Sequence, residues 1–132
     1  MEQWTIRRSG TFKALPIGDK HCGVGNKELE FRYECWIECG KLDDKGFVID
    51  QLDVHRCATA NSSIKLSCEE HAKHIAHQTI KLFPKERVAS IQSIKVTVGV
   101  GPLADATYFT DKVQALVRKP DAIVVLSRFQ SK

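Results

Sequence analysis

The chain has few of the features that mark membrane, secreted or low-complexity proteins. It contains no apolar run near the ~20 residues that span a bilayer, no repeat of solenoid length and no low-complexity tract. The first residues, from Met1 to Arg8, do not include the apolar core of a signal peptide. These absences predict a cytoplasmic protein without a membrane segment.

Cysteine is present, but not in the arrangements that disulfide frameworks or zinc knuckles use. The chain has five cysteines, an odd number, and no two of them have the spacing Cys-x-x-Cys. Without an export signal, such thiols usually act as small apolar groups in the core, and Cys35 is expected to be buried. The pattern predicts neither a bound metal nor a cofactor.

The charge is mild and evenly spread. The net charge of +4 comes from 20 basic and 16 acidic residues, with no basic stripe and no interleaved aromatics. Because nucleic-acid binding proteins concentrate such charge on one surface, the sequence does not predict a nucleic-acid partner. The length of 132 residues fits a single domain over residues 1–132.

The clearest pattern is a long alternation that predicts a half-buried antiparallel strand. Apolar residues occupy every second position from Leu29 to Cys39, and charged residues plus Trp36 occupy the others. Residues 3–15 show a weaker alternation that predicts a strand with a bulge or bend at Gly10. Residues 16–27, rich in glycine, are expected to form a loop.

The middle of the chain predicts a turn, a short strand and a helix. Residues 43–46 have turn chemistry, and 47–49 are expected to return as a strand. The pattern from 53 to 66 is weak and predicts a loop with at most a short helical turn. Ser67, three residues before Glu70, has the spacing of a capping box and predicts a helix that ends at Pro84.

The last third of the chain completes an α+β pattern. Residues 93–100 alternate as a half-buried strand, and residues 106–110 are expected to form the return strand. Residues 112–132 form a C-terminal extension of the same domain, with a β-branched run at 122–126. The predicted fold is an antiparallel sheet with a helix packed on one face.

Several of these segments, in this order, resemble the 6-pyruvoyl- and 6-carboxy-tetrahydropterin synthases, which have the tunnelling fold. The matching segments are Phe12-Lys-Ala14, Cys22 with its glycine loop, the strand ending at Gly40, Gly46-Phe-Val-Ile-Asp50, the helix opening at Ser67, and Val96 to Tyr108. The resemblance implies subunits that assemble side by side, so that their sheets close into a barrel. A homo-oligomer is therefore the expected partner.

The positions that carry the chemistry of that family differ in this chain. Pro16 stands where the first zinc-binding histidine is expected, and Glu28 and Glu30 fall on the family's His-Gly-His. Two carboxylates without a third ligand make a poor zinc site. Gly99 or Val100 replaces the glutamate that anchors the pterin ring. Only Cys22 keeps the expected nucleophile position, which suggests a degenerate member without the zinc histidines.

Four residues remain candidates for a site, each with an alternative role. Cys22 could be catalytic, paired with His21, or simply part of a flexible loop. Glu28 and Glu30 could bind a ligand, or could be a charged strand edge that discourages aggregation. Trp36 could stack on a planar heterocycle or lie at a subunit contact.

The helix from Ser67 carries His71, His74 and His77, which could suggest a metal site. Their spacing of three residues differs from the i, i+4 spacing of metal-binding helices. We therefore expect them to lie on a solvated helix face.

Three functions are consistent with these residues. The first is a pterin-synthase-like scaffold that serves as an oligomeric binding or structural module without catalysis. The second is an enzyme that acts on a pterin- or purine-like substrate through Cys22 and Glu28 or Glu30. The third sets the resemblance aside and leaves an unrelated small α+β binding protein. The first rests on analogy, because a fold alone does not define a function.

Overall fold

A computed structural model describes residues 2–15, 28–60, 66–101 and 104–118. Four strands and four helices form in the described residues. In chain order they are β1 (Trp4–Ala14), β2 (Leu29–Cys39), α1 (Gln51–Thr59), α2 (Cys68–Lys81), α3 (Lys85–Val88), β3 (Ile91–Val100), β4 (Ala104–Thr110) and α4 (Val113–Arg118). The predicted α+β fold class is confirmed.

The strands form one antiparallel sheet in the order β1-β2-β3-β4. One face is covered: α1 packs on β1, and α2 packs on β3 and β4. The alternation predicted for β2 is confirmed, because Phe31, Tyr33 and Cys35 are buried on this helix face. The opposite face, which we call the open face, carries charged and polar side chains together with Trp36.

The first strand is more regular than its sequence suggests. The sequence predicts a bulge or bend at Gly10, but β1 pairs with β2 without interruption from Trp4 to Ala14. That prediction is wrong, because Gly10 serves a different purpose: a Cβ there would lie 3.0 Å from the Tyr33 ring. The irregularity of the sheet occurs instead in the pairing of β2 with β3, between Glu38 and Cys39.

The segment after β2 also differs from its prediction. The expected strand at 47–49 is absent from the described residues, and the expected loop from 53 contains α1. Asp50 explains the change, since its carboxylate accepts the N–H of Leu52 at 2.9 Å and caps α1. Val48 and Ile49 are buried in the core from a turn rather than from a strand.

The second helix begins as the sequence predicts. The capping box is formed, with Ser67 Oγ accepting the N–H of Glu70 at 3.1 Å and the Glu70 carboxylate accepting the N–H of Ser67 at 3.2 Å. Reciprocal caps of this kind satisfy two of the backbone N–H groups that have no acceptor at the start of a helix. They fix where the helix starts, and therefore which residues face the sheet.

The prediction that the helix histidines are solvated is wrong for His71 and His77. His71 is fully buried, and its ring lies 5.1 Å from that of Phe12 and 5.0 Å from that of Phe31. His77 is also buried and packs edge-on against Tyr108. Neutral imidazoles can pack like aromatic core groups, and burial lowers the pKa of both histidines to about 4.

The beginning of the C-terminal extension is helical. Residues 113–118 form α4, which packs on α2 and β3 through the buried Val113. The apolar run at 122–126 lies outside the described residues. In the described ranges, no helix combines the length and apolar character that a membrane crossing requires.

Candidate functional site

The predicted nucleophile is not in the described part of the chain. Cys22 falls within residues 16–27, together with His21 and Pro16. Its proposed catalytic role therefore stays a prediction. Among the cysteines that the structure does describe, Cys35 is buried as expected, and burial raises the pKa of its thiol to about 12. Such a thiol stays protonated at neutral pH and is no nucleophile.

Glu28 and Glu30 are exposed, at the start of β2. Glu30 lies opposite Lys13 in the register, so it projects from the open face. Phe12 and Ala14, which lead into the position of the family's first histidine, project from the helix face. Ligands of one metal ion have to converge on one point, and Glu30 points away from that side. The described residues therefore do not fit the zinc site that the fold family implies.

Other metal sites are equally absent from the described ranges. No group of three His, Cys, Asp or Glu side chains in these ranges converges as metal ligands do. Of the two positions expected for the pterin-anchoring glutamate, Gly99 and Val100, Gly99 lies opposite Asp105 in the register. The Asp105 carboxylate accepts a charge-assisted hydrogen bond from Arg32 at 2.9 Å, so it already has a cationic partner.

Trp36 lies on the open face, as the alternation predicts. The Lys95 ammonium sits 4.2 Å from the centroid of its ring, a cation–π contact between neighbouring strands. Next to it, Arg7 pairs with Glu34 at 2.7 Å. Trp36 and Glu30 are six residues apart on one strand, about 20 Å at the rise of a β-strand. A single small ligand therefore cannot contact both within one subunit.

The helix face also carries a polar cluster that the sequence pattern did not predict. Tyr33 Oη lies 2.5 Å from His55 Nδ1, and the two rings stack with centroids 5.9 Å apart. The Arg8 guanidinium lies beside the same hydroxyl. Burial raises the pKa of Tyr33, and Arg8 opposes part of that rise. We call Arg8, Tyr33 and His55 the Arg8 cluster.

The sequence did carry a signal for this cluster. Every second residue of β1 faces the helices, and Arg8 and Gly10 interrupt an otherwise apolar series at those positions. Gly10 leaves room for the pair above it, since an added Cβ would lie 3.1 Å from Tyr33 Oη and 3.2 Å from His55 Cε1. An arginine and a glycine on a core face are therefore better interpreted as a site than as a break in the strand.

A cleft of about 520 Å³ is lined by residues that precede Arg8 on β1 and His55 on α1. It lies between the first half of β1 and the turn that leads into α1, and its apolar wall includes Trp4, Ile6 and Phe47. Trp4 and Phe47 are 42% and 54% exposed, which is high for aromatic side chains. Gln51, on the cleft wall, is one helical turn before His55.

The sheet order and the helices on one face place the chain in a known structural class. Its fold is that of the 6-pyruvoyl tetrahydropterin synthases, and the resemblance seen in the sequence is confirmed at the level of the fold. No protein-family model matches the chain, and no curated protein sequence matches it significantly.

Particular structures show how far the likeness extends. The synthase of Plasmodium vivax superposes with a TM-score of 0.60 at 14% identity, over 84% of this chain and 99% of the other. The Caenorhabditis elegans synthase gives a TM-score of 0.58 at 14% identity, over 83% and 97%. Another P. vivax structure carries alanine in place of a catalytic glutamate. At this identity the likeness establishes the fold and leaves the chemistry to be argued.

Proposed function

We propose that this chain assembles with copies of itself through the edges of its sheet, and that the assembly is a binding or structural module rather than a zinc-dependent synthase. The observation that carries this proposal is the pair of free edges. Within the described ranges, β1 pairs only with β2 and β4 only with β3. An edge of 11 residues, as in β1, is a template for another strand.

Side-by-side assembly would remove both edges at once. If β4 of one copy pairs with β1 of the next, the sheets continue around a closed ring and no edge remains. The helices then lie outside and the open face lines the interior. That placement accounts for an uncovered face that carries ion pairs such as Arg7–Glu34 and Arg32–Asp105.

The interior would offer two places for a small planar heterocycle. Trp36 supplies a stacking surface, and the carboxylates of Glu28 and Glu30 accept N–H donors such as those of pterins and purines. These places lie at opposite ends of β2. A ligand that uses both would have to bridge two subunits.

Light scattering on the full chain tests the assembly. We expect a mass that is a multiple of 14.8 kDa. Phe109, 57% exposed on β4, should matter at the junction, so Phe109→Asp should lower the mass. Leu82→Asp is the control, because Leu82 is 37% exposed at the end of α2 and does not belong to an edge strand. A strictly monomeric wild type would contradict the assembly.

The alternative is an enzyme that acts on a pterin- or purine-like substrate through Cys22 and Glu28 or Glu30. The catalytic glutamate of the P. vivax synthase favours it, since it shows that a carboxylate can serve catalysis on this fold. Elemental analysis distinguishes the two functions: about one zinc per subunit would contradict the module and support the enzyme.

A panel of pterins and purines, followed by thermal melting, tests the ligand. A ligand that binds the native state raises the melting temperature by mass action. The enzyme predicts that Cys22→Ala and Glu28→Ala abolish the shift. A binding module predicts that Cys22→Ala leaves the shift unchanged.

A further inference from the structure

Arg8 lies where the fold gives a cation little support. It is half-buried on the helix face of β1, four residues before Phe12, which stacks on Phe31 in the core. Its Nε is enclosed and has no hydrogen-bond acceptor. None of the ion pairs between described residues includes Arg8, although its neighbour Arg7 is paired with Glu34. A partly buried guanidinium without a counter-charge favours an anion.

The groups beside Arg8 are arranged as donors. The Arg8 guanidinium can only donate, so the Tyr33 hydroxyl accepts from it, and the hydroxyl proton is left to be donated to His55 Nδ1. In that arrangement the ring proton of His55 lies on Nε2. His55 Nε2–H and the terminal N–H groups of Arg8 are therefore the donors that remain for a ligand.

The ligand has a route to these donors. Arg8 and His55 are both partly exposed. Ile6, two residues before Arg8 on the same face, and Gln51, one turn before His55, both line the 520 Å³ cleft. The apolar wall of the cleft suits the organic part of a small molecule, whose charged group would reach past Ile6 and Gln51 to Arg8 and His55.

We propose that the Arg8 cluster binds the oxyanion, a phosphate or carboxylate group, of a small molecule seated in the cleft between β1 and α1. Arg8 supplies the charge and the planar fork of donors, and His55 Nε2–H supplies a second direction. Tyr33 holds both groups in place. The site is formed within one chain, so it does not depend on the assembly proposed above, and a monomeric protein would retain it.

Thermal melting and NMR with inorganic phosphate and with acetate, each against sodium chloride of equal ionic strength, test the proposal. At ten times Kd, a specific anion should raise the melting temperature of the full chain by about 5 °C. The His55 ring signals should shift in the same titration and saturate at the same concentration. A response to phosphate or to acetate shows which oxyanion is preferred, and either one supports the site.

Two neighbouring arginines provide the matched variants. Arg8→Leu should lose at least tenfold in affinity while remaining folded, because leucine suits the helix face of β1. Arg7→Leu, on the open face, should bind as the wild type does. If neither phosphate nor acetate raises the melting temperature of the wild type more than sodium chloride does, the proposal is overturned. Equal losses in the two variants would also overturn it, because they would show a general effect of charge.

Discussion

The two buried histidines predict a loss of stability in mild acid. His71 and His77 are 0% and 4% exposed, and burial lowers the pKa of each from 6.5 to about 4. Between these values the unfolded chain binds the proton and the folded chain does not. The stabilising contribution is therefore complete above pH 6.5 and is lost progressively as the pH falls toward 4.

The size of the effect follows from the same values. Between pH 7.5 and pH 5.0, each histidine should reduce the free energy of unfolding by about 2 kcal/mol, so the pair accounts for about 4 kcal/mol. That is a large part of the stability of a small domain. Urea denaturation at the two pH values measures it directly.

Single variants isolate each contribution. His71→Phe keeps an aromatic ring beside Phe12 and Phe31, and should reduce the pH-dependent loss by about 2 kcal/mol. His77→Phe should do the same. His74→Gln is the comparison, because His74 is only half-buried, and it should change the loss less. A wild type equally stable at both pH values, or His71→Phe with an unchanged pH dependence, would refute this reasoning.

Three further predictions concern close packing, a loop anchor and a cap. Gly10→Ala should destabilise the fold by about 1–3 kcal/mol, because the added Cβ would lie 3.0 Å from the Tyr33 ring. Gly40→Ala should be tolerated, because the atom nearest to its added Cβ is at 3.6 Å. Equal melting curves for the two variants would contradict this. Arg87→Met should lower the free energy of unfolding by about 2–3 kcal/mol, because the guanidinium donates to two backbone carbonyls of the 41–48 segment, at 2.7 and 2.8 Å. Faster proteolysis of that segment is the specific measurement. Ser67→Ala should cost about 1 kcal/mol in chemical denaturation by removing the α2 cap, and a neutral result would show that the capping box contributes nothing.

Local patterns predicted the elements whose own residues determine them. The strict alternation from Leu29 to Cys39 gave β2 and its buried face, and the Ser67–Glu70 spacing gave the start of α2. The residues at 47–49 were harder, because three apolar residues suit a strand or a buried turn equally well. Asp50 caps α1, so a helix begins directly after these residues and they form a turn instead of a strand.

The site depended on contacts between elements, which a single sequence does not display. Tyr33 and His55 are 22 residues apart, and only the packing of α1 on β1 and β2 brings them together. His71 was expected on a solvated face, because histidine counts as polar in a periodicity pattern, although its neutral ring packs like an aromatic one. The alternation of β2 predicted the face on which Glu30 lies, and the register of β2 against β1 adds that Glu30 is opposite Lys13.

Amide hydrogen exchange in the strands most directly tests the central claim that copies of the chain join at the sheet edges. In β1 (Trp4–Ala14) and β4 (Ala104–Thr110), alternate N–H groups point away from the neighbouring strand of the same chain. Assembly predicts that these outward amides are protected as strongly as the inward ones, and that Phe109→Asp releases them. Rapid exchange of the outward amides in the wild type, at the rate of an open edge, would contradict the claim.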